Sequence, residues 1–444
     1  MTRVAVVGAG WSGMAAAVEL ASAGCQVDLY EAARHVGGRA RRVVLEGITL
    51  DNGQHILLGA YAETLRLIRL TGGDERDLMR RLPLELTYPG EFTLCAPTWL
   101  PAPLHLLYAL LAARGLAWRD KIAAVGFMHA LRMTRFRVVP DVTVAEFLLR
   151  HRQTLRARAY LWDPLCVAAL NTAPEIASAQ VFATVLCETF SGARSDSDLL
   201  IPRVDLSSLF PDPALNYVLE RGGVWHPGMQ IDALFECDGR IMVCSGAAGS
   251  EFEAVVCALP PPRAAALFGG SSESALSLQR LLEAFEFEPI VTCYLQYPAR
   301  VRLPRPMIGL SAAISQWAFD RGVLGGPAGL IAVVVSAAGR LRGLAGDALA
   351  EEVHRELEAV LPSLPRPLRQ QVIVEKRATF RCTPNLLRPR TQGPCAGLFF
   401  AGDHVADPAG HDYPATLEGA VRSGVAAARA ALTYMAGLPG RSIA

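Results

Sequence analysis

The first 31 residues constrain the fold more than any other part of this 444-residue chain. Val4-Ala5-Val6-Val7 is a short, wholly apolar run. Gly8-Ala9-Gly10-Trp11-Ser12-Gly13 follows it. Met14 to Ala23 is Ala-rich and apolar, and Gln26-Val27-Asp28-Leu29-Tyr30 leads to Glu31. A run that is apolar at every position predicts a strand covered on both faces, as in a parallel sheet flanked by helices. The order therefore reads as strand, glycine loop, helix, strand. In such a unit Gly8 permits the tight turn, Gly10 lets a pyrophosphate approach the backbone, and Gly13 lets helix and strand pack closely. The helix start around Ser12 offers free N–H groups and a positive dipole end to phosphate. Glu31, at the end of the second strand, is placed to accept hydrogen bonds from ribose hydroxyls and disfavours a 2′-phosphate. The expected class is α/β with a bound dinucleotide.

Further motifs extend this reading. Gly37-Gly38-Arg39 stands six residues after Glu31, and Asp51-Asn52-Gly53-Gln54-His55 follows a strand-like Arg42-Val43-Val44-Leu45. Asn52-Gly53 is also a hairpin-turn signal. Near the C-terminus stand Phe400-Ala401-Gly402-Asp403-His404 and then Tyr413-Pro414-Ala415-Thr416-Leu417-Glu418-Gly419, which opens an Ala-rich helix expected over 416–434. With the N-terminal fingerprint, these motifs resemble those of the FAD-dependent amine-oxidase and phytoene-desaturase superfamily. The resemblance implies a glutathione-reductase-type, Rossmann-like FAD domain with an inserted α+β substrate domain. It implies FAD held non-covalently, since no Cys stands in a motif for covalent attachment. It places Gly38 and Arg39 at the pyrophosphate, with Arg39 pairing with it. It places Gly53 and Gln54 along the flavin ring, and Gly402 and Asp403 at the ribityl or pyrophosphate side. Thr416 and Leu417 would start a helix whose positive end faces the N1–C2 carbonyl edge of the ring. Ile231, in Ile231-Asp232-Ala233-Leu234 after Gly222-Gly223-Val224, resembles the adenine-contacting strand. Gly419 and Gly424 read as points of close helix–sheet packing.

Nucleotide-domain signals thus occur at the start, in the middle (Val255 to Leu259 before Pro260-Pro261-Pro262) and at the end. Two long stretches of different texture separate them. The expected division is an FAD-binding domain from 1–75, 211–270 and 395–444, and a substrate-binding domain from 76–210 and 271–394. An apolar content of 51% against 19% charged residues excludes intrinsic disorder. A net charge of +1, with no Lys/Arg-rich run, leaves no electrostatic case for nucleic acid. The 10 Cys lie singly, with no CxxC pair, so zinc and thioredoxin-like chemistry have no support. Their scatter and the absence of a signal-peptide layout point to the cytosol. Phe92 to Ala113 carries no Asp, Glu, Lys or Arg, and Leu116 to Met133 carries Ile122, Val125, Phe127, Met128 and Leu131 after Arg119, Asp120 and Lys121. A spanning helix needs ~20 apolar residues; Pro97, Pro101 and Pro103 leave only Leu104 to Ala113, which is too short. Residues 92–131 are expected to form two core helices, or a monotopic patch on the inner face of the cell membrane.

The inserted stretches carry a narrower resemblance. Leu161-Trp162-Asp163-Pro164-Leu165, Ser191 to Ser207, Glu288-Pro289-Ile290-Val291-Thr292, Gln316 to Arg321 and Glu375-Lys376-Arg377-Ala378-Thr379-Phe380 are similar to blocks of the bacterial hydroxysqualene dehydroxylases. That family replaces an allylic C–OH by C–H, in squalene and hopanoid synthesis. The resemblance implies reduced flavin, a lipophilic triterpenoid substrate, a dry apolar tunnel and an acid near the hydroxyl. His55, Asp163, His411 and Asp412 are the candidates for that acid, and the apolar 92–131 region is expected to suit a tunnel mouth. Lys occurs only at Lys121 and Lys376. Neither is where related amine oxidases place one near flavin N5, so amine oxidation is disfavoured. A polyene desaturase with opposite electron flow and a non-catalytic prenyl-binding protein of the same fold are the alternatives. No residue points to a particular electron donor.

Overall fold

The structure, a computed structural model, describes residues 2–268, 273–341 and 346–438. The apolar runs assemble into one parallel sheet. Its strands, in spatial order, are Val224–Pro227, Gln26–Glu31, Arg3–Val7, Ala254–Cys257 and Leu398–Phe400. Val4 lies opposite both Val27 and Ala254, and Val255 opposite Leu398, every pairing being parallel. Side chains alternate between two cores, as a period of two requires. Val4, Val6, Val27, Leu29 and Val256 pack with the helices Trp11–Ser22 and Leu417–Ala436. Ala5, Val7, Val255, Cys257 and Phe400 pack against a three-stranded ribbon (Ala233–Cys237, Arg240–Ser245, Ala248–Phe252) and the helix Pro261–Leu267. The central strands are therefore covered on both faces, which is why Val4 to Val7 and Ala254 to Cys257 are apolar throughout.

The close-packing role expected of Gly419 and Gly424 takes a different form. A Cβ on Gly424 would lie 2.1 Å from the Ser12 carbonyl oxygen, so this glycine joins the C-terminal helix to the helix Trp11–Ser22 rather than to the sheet. Gly419 sits in the first turn of its own helix, beside Pro414 and Thr416. The Asn52-Gly53 turn also departs from the hairpin expectation. Arg42–Leu45 does pair antiparallel with a following strand, Ile48–Asp51, but the hairpin closes at Glu46-Gly47.

A second, antiparallel sheet runs in the order Met307–Gly309, Trp317–Asp320, Leu330–Val335, Phe287–Gln296, Arg369–Phe380. It too divides by alternation. Val291, Cys293 and Leu295 pack on the helix Asp347–Val360, while Trp317, Phe319 and Val334 face the other way. The segment 104–190 is mainly helical and ends in Ala179–Phe190. Within 92–131 the prolines break the chain as expected, leaving helices at Leu104–Ala112 and Trp118–Met133. Among the described residues, no helix is long and apolar enough to cross a membrane. The expected domain boundary at 270/271 and the chain beyond 438 lie outside the described residues.

Candidate active site

A cavity of ≈ 790 Å³ lies at the carboxyl ends of the parallel strands. In a doubly wound sheet this is where ligands bind. Its walls come from the parallel sheet's loops, the inner face of the antiparallel sheet and the helix Ala179–Phe190, with additions that include Leu86 and, from the helix Asp163–Leu170, Leu165 and Ala169. Of the expected cofactor positions, Gly8, Gly10, Ser12, Glu31, Gly38, Arg39, Gly53, Gln54, Ile231, Gly402, Asp403, Thr416 and Leu417 line it. Gly13 does not line it. A Cβ there would sit 1.8 Å from the Gly8 carbonyl oxygen, so its role is the close packing beneath the loop. Gly8 itself has φ +104°, a conformation that a side chain would strain.

Several polar groups are fixed toward the cavity. The Glu31 carboxylate accepts the Ala9 N–H at 2.8 Å and the Ala33 N–H at 3.0 Å, which holds it at the strand end with lone pairs to spare. Gly37 N–H donates to the Ala9 carbonyl at 2.8 Å, so the two glycine loops are joined. Arg39 donates to Asp403 at 2.7 Å and to the Ala378 carbonyl at 2.7 Å. Burial works against ionisation of Asp403, but the Arg39 guanidinium beside it holds its carboxyl well below the usual carboxylate range. His404 is buried, and burial pushes its imidazole down toward the neutral form. Thr416 caps the C-terminal helix, its Oγ1 accepting the Gly419 N–H at 3.0 Å.

The proposed acids are not brought together. His55 lines the cavity; its Nδ1 lies 3.0 Å from the Gly53 carbonyl, and burial lowers its pKa. Asp163 is paired with Arg158 at 3.2 Å, outside the cavity wall. His411 is exposed and Asp412 half-buried, and neither contributes to the wall. Residues 92–131 do not line the cavity either, so the tunnel-mouth expectation fails: their apolar side chains pack behind the wall, in one core with Leu86, Phe182 and Trp317, and onto an outer surface. Neither lysine lines it; Lys121 donates to the Leu111 carbonyl at 2.6 Å, and Lys376 is exposed. No cysteine lines it.

Several wall residues escaped the sequence reading, among them Thr292, His404, Tyr413 and Glu188. Thr292, His404 and Tyr413 stand inside motifs quoted for other residues, whereas Glu188 carries no signal in the sequence. Thr292 Oγ1 and both ring nitrogens of His404 are buried without a protein partner. Buried polar atoms normally have one. Orphaned polar groups, together with the glycine loops, Glu31 and the Arg39–Asp403 pair, fit a large ligand with ribose, diphosphate and a heteroaromatic ring.

The sequence model of the family described as flavin containing amine oxidoreductase matches residues 11–432. The chain belongs to that family. Hydroxysqualene dehydroxylase from Rhodopseudomonas palustris is 28% identical over 452 residues, covering 96% of this chain and 97% of that protein. Zeta-carotene desaturase from Synechocystis is 24% identical, covering 98% of each. Among solved structures, an oxidoreductase from Methanosarcina mazei superposes with a TM-score of 0.72 at 15% identity, over 96% of this chain and 99% of that one, and so shares the fold. The protein is an FAD-dependent oxidoreductase of the flavin containing amine oxidoreductase family. The glycine loops, Glu31 and the Arg39–Asp403 pair lie on the parallel-sheet side of the cavity, with an apolar wall opposite them. That wall includes Leu86, Phe182, Leu186, Met307, Trp317 and Phe319.

Proposed function

We propose that the protein reductively dehydroxylates hydroxysqualene to squalene, with FAD bound non-covalently. The observation that carries this reading is similarity along nearly the whole chain to a named hydroxysqualene dehydroxylase. The apolar wall supports it, because a triterpenoid needs a dry cavity. The absence of lysine from that wall supports it too, since nothing there resembles an amine-oxidase site. Glu31 holds the ribose, the Gly8–Gly13 loop and Arg39 hold the diphosphate, and the helix start at Thr416 favours negative charge at the ring edge. Reduced FAD supplies hydride when bound.

The chain's own residues supply the rest. The wall excludes water, which strengthens the remaining electrostatic interactions. Of the four candidate acids we retain His55, the one in the cavity wall. Its lowered pKa makes the imidazolium a strong acid that is sparsely populated at neutral pH, so a proton passed from it gives a rate that rises as pH falls.

We also propose that the helix Leu104–Ala112 rests on an anionic membrane surface. Leu104, Leu107, Tyr108 and Leu111 form an exposed stripe at helical spacing, and Trp99, Trp118 and Ile122 extend it. The charged side chains exposed between 92 and 137 are all basic: Arg114, Arg119, Arg132, Arg135 and Arg137. The lone acid of that stretch, Asp120, is buried and accepts the Ala117 N–H.

Enzyme reduced under anaerobic conditions should convert hydroxysqualene to squalene stoichiometrically with FAD. Deuterium carried on the flavin should appear at the former carbinol carbon or its allylic partner. Reduced enzyme that is not reoxidised by hydroxysqualene, together with oxidised enzyme bleached by squalene or another polyene, would replace this reading with the desaturase one that the carotene-desaturase similarity favours.

A further inference from the structure

Glu188 places a carboxylate at the edge of the apolar wall. On the helix Ala179–Phe190, Phe182, Val185 and Leu186 present apolar surface to the cavity, and Glu188 follows them. Opposite it stands Tyr413, from the loop before the C-terminal helix. The Tyr413 hydroxyl donates to Glu188 Oε1 at 3.1 Å and accepts from Arg422 Nη1. Glu188 and Arg422 approach each other only to 4.0 Å, so the phenol oxygen is the bridge between them.

This arrangement is rigidly held from behind. Arg422 lies over the Tyr413 ring, 4.8 Å from its centroid, and donates through Nε to Glu418 at 3.1 Å. Glu418 in turn accepts the Glu63 and Thr64 N–H groups and the Thr64 hydroxyl. Arg388 donates to the Tyr413 carbonyl at 2.6 Å. Burial pushes the phenol above its usual range, with Arg422 opposing, so Tyr413 remains a neutral hydroxyl.

A neutral hydroxyl between a carboxylate and a guanidinium is suited to an alcohol. The Tyr413 hydroxyl, polarised from behind by Arg422, can donate to the ligand oxygen while the ligand's hydrogen is given to Glu188. A carboxylate ligand would meet the charge of Glu188, and a hydrocarbon would gain nothing from the site. We propose that Tyr413, bridged to Glu188 and Arg422, recognises the hydroxyl of the substrate and makes the cavity prefer a hydroxylated polyprenyl chain to the parent hydrocarbon. This inference rests on the dehydroxylation reading and adds the residue that separates substrate from product.

The preference has a natural size. A site left with unpaired polar groups rejects an analogue lacking the hydroxyl by several orders of magnitude. Here the groups pair with one another when no hydroxyl is present, so the difference is that of one or two hydrogen bonds to charged partners, ~10–100-fold.

The test uses oxidised, FAD-loaded enzyme, titrated with hydroxysqualene and with squalene in detergent micelles. Binding is read from quenching of tryptophan fluorescence, Trp317 being in the wall. Wild-type enzyme should bind the alcohol ~10–100-fold more tightly than the hydrocarbon. Tyr413→Phe, with wild-type flavin content, should bind both with equal affinity, its squalene affinity unchanged. Glu188→Gln should reduce the preference without abolishing it and serves as the second variant if Tyr413→Phe folds poorly. A Tyr413→Phe or Glu188→Gln enzyme that keeps the full wild-type preference overturns the inference while leaving dehydroxylation intact. A wild-type enzyme that neither prefers the alcohol nor reduces it overturns both.

Discussion

Arg39→Ala isolates the interaction that joins the glycine loop to the C-terminal strand. Asp403 is buried, and its Oδ2 lies 2.7 Å from Arg39 Nη2. The other neighbour able to carry positive charge, His404, is 3.7 Å away and is kept neutral by burial. Removing one partner of a buried pair costs ~3–5 kcal/mol. The Arg39 side chain is 36% exposed, however, so water screens the pair and about 2–3 kcal/mol is expected. A second substitution separates this cost from simple loss of packing. Asp403→Asn removes the orphaned charge, so the double variant should be about 1–2 kcal/mol more stable than Arg39→Ala alone. The pH dependence gives a further signature. In the wild type the folded Asp403 carboxyl is depressed below its unfolded value of ~3.9, so its contribution is present above that value and is lost as pH falls through the folded one. Without Arg39, burial raises the folded value above ~3.9, and stability then declines as pH rises through the mildly acidic range. The destabilisation by Arg39→Ala should therefore be larger at about pH 8 than at about pH 5. Urea unfolding at both pH values, with FAD saturating and with FAD removed, measures it. An Arg39→Ala protein within about 0.5 kcal/mol of wild type at the higher pH, or a double variant less stable than the single one, would refute the reasoning.

Glu31→Ala should weaken FAD binding by about 1–3 kcal/mol, the value of lost hydrogen bonds to a charged acceptor, as measured by titration of FAD-depleted protein; unchanged affinity would remove Glu31 from the ribose site. Asp51 is buried and its carboxyl is pushed up to about 6 by that burial, so its ionisation lowers stability as pH rises from ~4 through 6, by about 3 kcal/mol in total. Asp51→Asn keeps the acceptor for the Leu206 N–H and should flatten that slope in urea midpoints; an unaltered slope would assign it to other groups. Leu107→Glu/Leu111→Glu should abolish flotation with anionic vesicles while leaving the FAD spectrum unchanged, and equal flotation of both forms would count against the membrane stripe.

The parts legible in the sequence are those whose chemistry is local. The strand Arg3–Val7, the glycine loop and Glu31 lie within one continuous segment, and each residue's role follows from its neighbours in the chain. The helix start at Thr416 is readable for the same reason, because a cap acts on the N–H three residues on. Gly424 shows where this stops. Its small size is visible in the sequence, but whether a sheet or a helix occupies the space depends on Ser12, which is brought there only by the fold.

The substrate side of the cavity is assembled almost entirely from distant contacts, and this explains the fate of the four acid candidates. His55 reaches the cavity wall because its loop, Asn52 to His55, runs along it. Asp163, His411 and Asp412 stand next to recognisable motifs, but nearness along the chain does not decide which way a side chain faces. The group that does face the cavity there, Tyr413, gains its partner from a residue 225 positions away. A glutamate on an otherwise apolar helix face reads, by itself, as the solvated edge of that helix. Only the fold sets Glu188 against Tyr413 and Arg422. In this family the cofactor side can be read from contiguous motifs. The proposed preference for a hydroxylated chain rests instead on a long-range pair, Glu188 with Tyr413, which no contiguous motif announces.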